Sequence, residues 1–238
     1  MPVGNGQAAA GFSGFATGAV FFADGGVTAL GANMLTMAIV GPLVGRAIYH
    51  LVTRLRDTRT TKVAGAFAAA WTACVAAAVA AGALLWLSGR APLGPVLAAM
   101  GFWHAIIGLG EGAITAGLVS YLLAVRPDLL ARDARMPIDA RSVRRTALGL
   151  GAIALVAAGV SFVASANPDG LEYVYERLGS AFQATPVLGG AMPDYVMPGI
   201  ANETLAGVLA GLVGLIVTGV LVYALLTAMR GRRAHQAE

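Results

Sequence analysis

Charge is what this sequence has least of. Only 12% of its 238 residues are Asp, Glu, Lys or Arg, against about 25% in a soluble globular domain. A surface that poor in charge cannot hold a chain in water, so lipid is the expected solvent. Aromatic residues are scarce too, at 7%. No segments of alternating polarity about ten residues long are visible, which sets aside a membrane β-barrel. A single cysteine, Cys74, excludes a disulfide framework and a thiolate metal cluster. It lies in an Ala-rich apolar run and is expected to be a small packing residue. No nucleophile–base pair, Gly-rich phosphate loop or His-Glu-x-x-His motif occurs. No catalytic residue is therefore assigned, and the chain is read as no enzyme. Residues 1–6 contain no Lys or Arg, so the basic region of a secretory signal is missing. The short, Gly-rich apolar stretch 7–23 reads as the stump of a span.

What remains is apolar and rich in small residues: 58% hydrophobic, with 32 glycines and a mean hydropathy of +0.75. Glycine at that level suits packed membrane helices, where small residues let backbones approach closely. A helix needs about 20 apolar residues to cross the hydrocarbon core. Residues 63–87 meet this without a single charge, as do 147–166 and 204–229, and 34–53 qualifies apart from Arg46. The run 91–125 is longer, interrupted in charge only by Glu111, with His104 as its other ionisable group. As one helix it would measure about 52 Å, too long for one straight crossing. The glycines at 108, 110 and 112 are the expected site of a break, leaving one crossing with a kink or a short re-entrant start. The fold class expected is all-α, a polytopic transmembrane helix bundle of about six spans.

The net charge of +4 would point to nucleic acid in a soluble protein; here it reports topology, and no nucleic-acid partner is expected. The segments 54–62 (Arg54, Arg56, Arg59, Lys62), 126–146 (Arg126, Arg132, Arg135, Arg141, Arg144, Arg145) and the tail (Arg230, Arg232, Arg233) hold thirteen of the chain's 16 basic residues. The alternate segments 88–93 and 167–202 hold only Arg90 and Arg177, and the second also carries Asp169, Glu172, Glu176 and Asp194. Basic loops stay in the cytoplasm, so both termini are expected there. The polar stretch 126–146, with Pro127 and Pro137, reads as a cytoplasmic linker. It divides the chain into a membrane block over 1–135 and a two-span hairpin over 136–238, whose external loop is 167–202.

Several groups invite a functional reading. The segment FADGGVTALGANML, residues 22–35, is placed outside between two spans. Asp24 and Asn33 can cap helix ends there, and Gly25 and Gly26 permit tight turns. The segment is either a structured loop or the lining of a substrate cavity. His104 and Glu111 are seven residues apart, within about 20° of one another around a continuous helix. Ionisable groups at membrane depth are costly and seek a partner or a polar path. The pair is expected to be hydrogen-bonded and buried about the kink; an ion path is the other reading. His104 is a candidate metal ligand, although two groups fall short of the three or four a tight site needs. Gly108 with Gly112, and Gly207 with Gly211, have the G-x-x-x-G spacing of close helix contacts. In the external loop, Pro168-Asp169-Gly170 marks a turn and LEYVYERLG one or two helical turns.

Two long stretches, ADGGVTALGANMLTMAIVGPLVG (23–45) and HAIIGLGEGAITAGLVSYLLAVRPDLL (104–130), resemble the CbiM/NikM substrate-capture subunits of energy-coupling-factor cobalt and nickel importers. PDGLEYVYERLG (168–179) with MPDYVMPGI (192–200) resembles the PDGLE module, a CbiN-like part often fused to such subunits. The resemblance implies a multi-pass protein of the inner (plasma) membrane, with no covalently bound cofactor. Its cargo would be Co²⁺ or Ni²⁺, cobalt serving cobalamin biosynthesis. It would work with a transmembrane coupling subunit and ATPase subunits. The family has about seven spans; the first block here fits the last four, so the chain is expected to be a truncated form. The family holds metal with its N-terminal amine, a histidine at the second position, a nearby backbone nitrogen and a histidine on an early loop. This sequence reads Met1-Pro2-Val3 and has no histidine before His50, so none of those ligands carries over. An accessory subunit that binds the coupling protein without binding metal is the alternative.

The charge asymmetry makes a direct prediction. In Ser142→Cys and Ser180→Cys variants, an impermeant thiol reagent is expected to label position 180, and not position 142, from outside. Labelling of 142 from outside would invert the topology.

Overall fold

A computed structural model describes residues 16–18, 20–22, 26–125, 144–145, 148–149, 151–152, 155–156 and 190–235. The expected linker 126–146, the span 147–166 and the external loop up to residue 189 fall largely or wholly outside that set. Among the described residues there is helix and turn but no strand, so the all-α expectation holds. Four helices are long and apolar enough to cross a membrane: Leu30–Arg54, Arg59–Leu87, Leu93–Val125 and Glu203–Leu225. The remaining two expected spans, 7–23 and 147–166, are mostly undescribed. The chain packs as two compact units. Among the described residues one holds 16–38 and 190–235, the other 39–156.

The first long span is assembled from three pieces: α1 (Gly26–Asn33), a π-helical stretch (Met34–Val40) and α2 (Gly41–Leu55). The expected loop over 22–35 is thus corrected, because the chain is helical from Gly26 onward. With neither proline nor charge between Asp24 and Pro42, leaving the helix would strand backbone groups in lipid. Pro42 stands at the start of α2. It has no N–H to give, and its ring crowds the carbonyl four residues back. The wide π turns just ahead of it relieve that crowding. Thr36 sits buried in these turns, its hydroxyl donating to Ala32 O at 2.9 Å.

In the larger unit α2, α3 (Arg59–Leu87) and α4 (Leu93–Val125) form an antiparallel meander. Thr58 starts α3 with a reciprocal cap: its hydroxyl accepts from Thr61 N at 3.2 Å, and the Thr61 hydroxyl accepts from Thr58 N at 3.0 Å. At the far end Gly89 adopts φ 69°, a left-handed closure that glycine tolerates without strain. Ser88 N and Arg90 N close on Leu84 O and Leu85 O, both at 2.9 Å. Small residues mediate both contacts of α3. A methyl built on Gly45 of α2 would lie 3.3 Å from Ala69 O, and one on Gly65 would lie 3.4 Å from Tyr49 and Thr53. Against α4, Ala78 packs with Val96 and Met100 in a buried cluster. Large apolar side chains point outward instead: Ile114 is 72% exposed and Leu43 63%. This inverted distribution suits a protein solvated by hydrocarbon.

The helix α4 corrects a second expectation. It runs unbroken through 33 residues, with no interruption at Gly108, Gly110 or Gly112. Breaking it at membrane depth would leave backbone groups unsatisfied at several kcal/mol each, far above the ~1 kcal/mol a helical glycine costs. Gly108 and Gly112 are used for contact. A methyl on Gly108 would lie 3.0 Å from the Trp71 ring, and one on Gly112 would lie 3.0 Å from the Phe67 ring and 3.1 Å from Phe67 O. Gly110 faces open space.

In the smaller unit, residues 16–18 and 20–22 lie along α5 (Glu203–His235). Asn202 caps that helix through its side-chain oxygen, which accepts from Leu205 N at 2.9 Å. Phe22 packs into a notch at Gly214, where a methyl would come within 2.5 Å of its ring. It also forms a buried cluster with Met192 and Ala210. One turn further, the Thr218 hydroxyl donates to the Thr17 hydroxyl at 3.1 Å. The working small-residue stripe on α5 is therefore Ala210, Gly214 and Thr218. Gly211, half of the expected pair with Gly207, has open space before it.

The α3–α4 seam yields a paired test. Gly112→Ala is expected to destabilise the protein by about 1–3 kcal/mol through overpacking. Gly110→Ala should be neutral or stabilising by up to about 1 kcal/mol from helix propensity. Reversible unfolding in detergent reads both, and equal effects would refute the seam.

Candidate functional site

His104 and Glu111 lie on α4, the helix that packs against α3. Trp71 on α3 donates its indole N–H to Ala105 O at 2.9 Å, a cross-helix bond that fixes the register of the pair. One turn along, the Cys74 thiol donates to His104 O at 3.6 Å, while the Cys74 Cβ lies 3.5 Å from where a Gly108 methyl would sit. Cys74 thus meets the backbone of one of the two residues singled out from the sequence, a place its packing role did not foretell. Phe67, Trp71, Cys74 and Ala78 recur every three or four residues, which is the face α3 turns to α4. Set against the glycines at 108 and 112, that spacing was the signal available for finding Trp71 and Cys74.

His104 and Glu111 do share one side of an unbroken helix, yet they do not pair. The His104 Nδ1 lies 2.9 Å from Met100 O. A carbonyl can only accept, so Nδ1 is the donor in this bond. Glu111 is exposed on the surface of the bundle. The expected buried, hydrogen-bonded pair is therefore corrected: the continuous helix keeps the two residues two turns apart, with His104 bonded to Met100 O and Glu111 exposed. Among the described residues no three His, Cys, Asp or Glu side chains converge on a point where an ion could be held. His50 lies on α2, edge-on to Tyr49 with ring centroids 6.1 Å apart.

Of the external motif, Asp24 and Gly25 lie outside the described residues, Gly26 opens α1 and Asn33 closes it. Asn33 caps no helix terminus, because the chain continues into the π turns; its backbone carbonyl lies 3.5 Å from the Thr36 hydroxyl. Just before this motif, in the smaller unit, Phe22 stacks on Tyr195 with centroids 4.2 Å apart and planes 15° apart. Met192 N donates to Phe21 O at 2.7 Å. Tyr195 ends a short 3₁₀ turn (Pro193–Tyr195) with φ 58°, a region few bulky residues adopt. The stack and the flanking backbone bond hold it there.

The family description "cobalt uptake substrate-specific transmembrane region", CbiM, matches residues 3–129, more than half of the chain. The chain belongs to the CbiM family. A PDGLE domain follows at residues 144–231, so the Phe22–Tyr195 stack joins one residue from each matched region. This CbiM-family chain is 38% identical over 207 residues to a protein of Archaeoglobus fulgidus named as a fused nickel transport protein, NikMN, covering 86% of this chain and 66% of the relative. It is 34% identical over 260 residues to the fused nickel transport protein NikMN of Rhodobacter capsulatus, covering 90% and 72%. It is 37% identical over 119 residues to the cobalt transport protein CbiM of Sorangium cellulosum, covering 48% and 52%. The chain thus spans about two thirds of the fused relatives' length. No solved structure gives a significant match. Both parts of the resemblance drawn from the sequence hold, and relatives named for transport agree with its reading as no enzyme.

The exposure of Glu111 changes what its replacement should do. Glu111→Ala opens no hole, so Glu111→Ala and Glu111→Gln are each expected to destabilise by at most about 0.5 kcal/mol. A loss of several kcal/mol for Ala alone would restore the buried, bonded role.

Proposed function

We propose that this protein is a membrane component of an energy-coupling-factor cobalt or nickel uptake transporter, carrying the later spans of a substrate-capture subunit fused to a PDGLE module. One observation carries this reading: a CbiM region and a PDGLE region follow one another in a single chain, and two relatives matching most of that chain are named as fused nickel transport proteins. The functional division is proposed near residue 135, between the matched regions. The protein would sit in the inner (plasma) membrane beside a transmembrane coupling subunit, with ATPase subunits supplying the energy. The transported Co²⁺ or Ni²⁺ is substrate rather than resident cofactor. His104 and Glu111 are the groups proposed to flank its path; the motif residues Asp24, Gly25, Gly26 and Asn33 are proposed separately, as a structured external segment. Glu111 and the Nε2 of His104 have the donor chemistry such a path needs.

A second reading, an accessory subunit that binds the coupling protein and holds no metal, is favoured by the lack of convergent ligands among the described residues. Two measurements test these readings. Cells carrying the chain with coupling and ATPase subunits are expected to accumulate more radioactive Co²⁺ or Ni²⁺ than cells lacking only this chain; equal accumulation would overturn a part in uptake. Titration calorimetry of the purified chain is expected to show weak binding or none. Stoichiometric submicromolar binding would exclude the accessory reading.

A further inference from the structure

The basic end of the α3–α4 pair carries a groove apart from His104 and Glu111. Its walls are Arg59, Thr60, Val63, Ala64 and Phe67 of α3 and Ala116 of α4. It is open along one side and almost wholly apolar below its mouth. Arg59 stands at that mouth, exposed, its guanidinium tethered across the two helices by a bond to Ser120 O at 3.3 Å. From Arg59 to Phe67 the groove descends about 12 Å at the helical rise, within one leaflet of a core about 30 Å thick.

The charge around the mouth is unbalanced. Lys62 is matched by Asp57 at 2.9 Å. Arg54, Arg56 and Arg59 are all exposed, and no carboxylate among the described residues pairs with them. The positive end of the α3 dipole adds to the same field. A soluble anion would satisfy the charges and leave the groove empty; a neutral lipid would fill the groove and leave the charges unmatched. One class of molecule does both. We propose that this groove binds an anionic phospholipid of the surrounding bilayer, with the headgroup phosphate on Arg59 and Arg56 and an acyl chain along Val63, Ala64, Phe67 and Ala116. Basic pockets between membrane helices are suited to this use. Because Arg59 also holds Ser120, bound lipid would brace α3 against α4 just beyond the Phe67–Gly112 contact.

The test uses the full chain, purified and delipidated in a neutral detergent, with bound lipid counted by native mass spectrometry and thermal stability followed in parallel. Phosphatidylglycerol is expected to bind and raise the melting temperature. Phosphatidylcholine with the same chains, and glycerol phosphate with none, should do neither. Arg59→Gln should weaken phosphatidylglycerol binding about fivefold, the factor that loss of one interfacial cation implies, and Arg59→Lys should retain it. Ala64→Leu, which fills the groove and keeps every charge, should also lose it. Arg90→Gln, at the opposite end of the helix pair, should not. Equal binding of the two phospholipids would overturn the proposal. So would undiminished binding in both Arg59→Gln and Ala64→Leu, and tight binding of glycerol phosphate alone would make this an ordinary phosphate site.

Discussion

Helices in lipid gain nothing by hiding apolar surface from one another, since the tails around them are as apolar as leucine. They are held together by close contact, and the contact available depends on how near two backbones can come. In this protein that nearness is set along the α3–α4 seam, where Gly82 meets Leu97 and Met100, Gly108 meets Trp71 and Gly112 meets Phe67. The cross-helix bonds of the larger unit lie along it. The indole of Trp71 reaches Ala105 O and the Cys74 thiol reaches His104 O only because nothing larger than hydrogen stands at position 108. The ionisable residues sit where they do because the seam fixes the rotation of α4 about its axis.

The same contacts explain how a glycine-rich helix 33 residues long stays continuous. In water the glycines at 101, 108, 110, 112 and 117 would make such a helix marginal. In hydrocarbon the backbone has nowhere else to put its hydrogen bonds. Glycine then costs little and offers access. That balance also accounts for α1, where the string of small residues from Gly26 to Asn33 reads as loop in an aqueous frame and forms helix here.

The sequence made the fold class and family plain because both rest on signals that are long and cumulative: uncharged runs of twenty or more residues, the bias of arginines to alternate loops, and PDGLE spelled out at 168–172. It was less legible where one residue decides. Gly108–Gly112 and Gly207–Gly211 have identical spacing, yet the first pair packs on Phe67 and Trp71 while Gly211 faces open space. Only the partner's side chains separate the two cases: those lie some forty residues away in the first, and none among the described residues meets Gly211 in the second. Likewise the seven-residue interval between His104 and Glu111 fixed their common side but not their neighbours. His104 turned back to Met100 O, and its own carbonyl met the Cys74 thiol of α3.

The stack of Phe22 on Tyr195, with the bond from Met192 N to Phe21 O, bears on why the two matched regions occur in one polypeptide. A segment from the start of the first region completes the hydrophobic cluster of the second. Carried on separate chains, these surfaces would have to find each other by diffusion within the membrane, against every other helix present. Tethered, they meet at an effective concentration set by the intervening chain, a gain that needs no new contact. The fusion therefore does more than keep two proteins in equal number. It places Phe22, from the CbiM end, in the same cluster as Met192 and Ala210 of the PDGLE end.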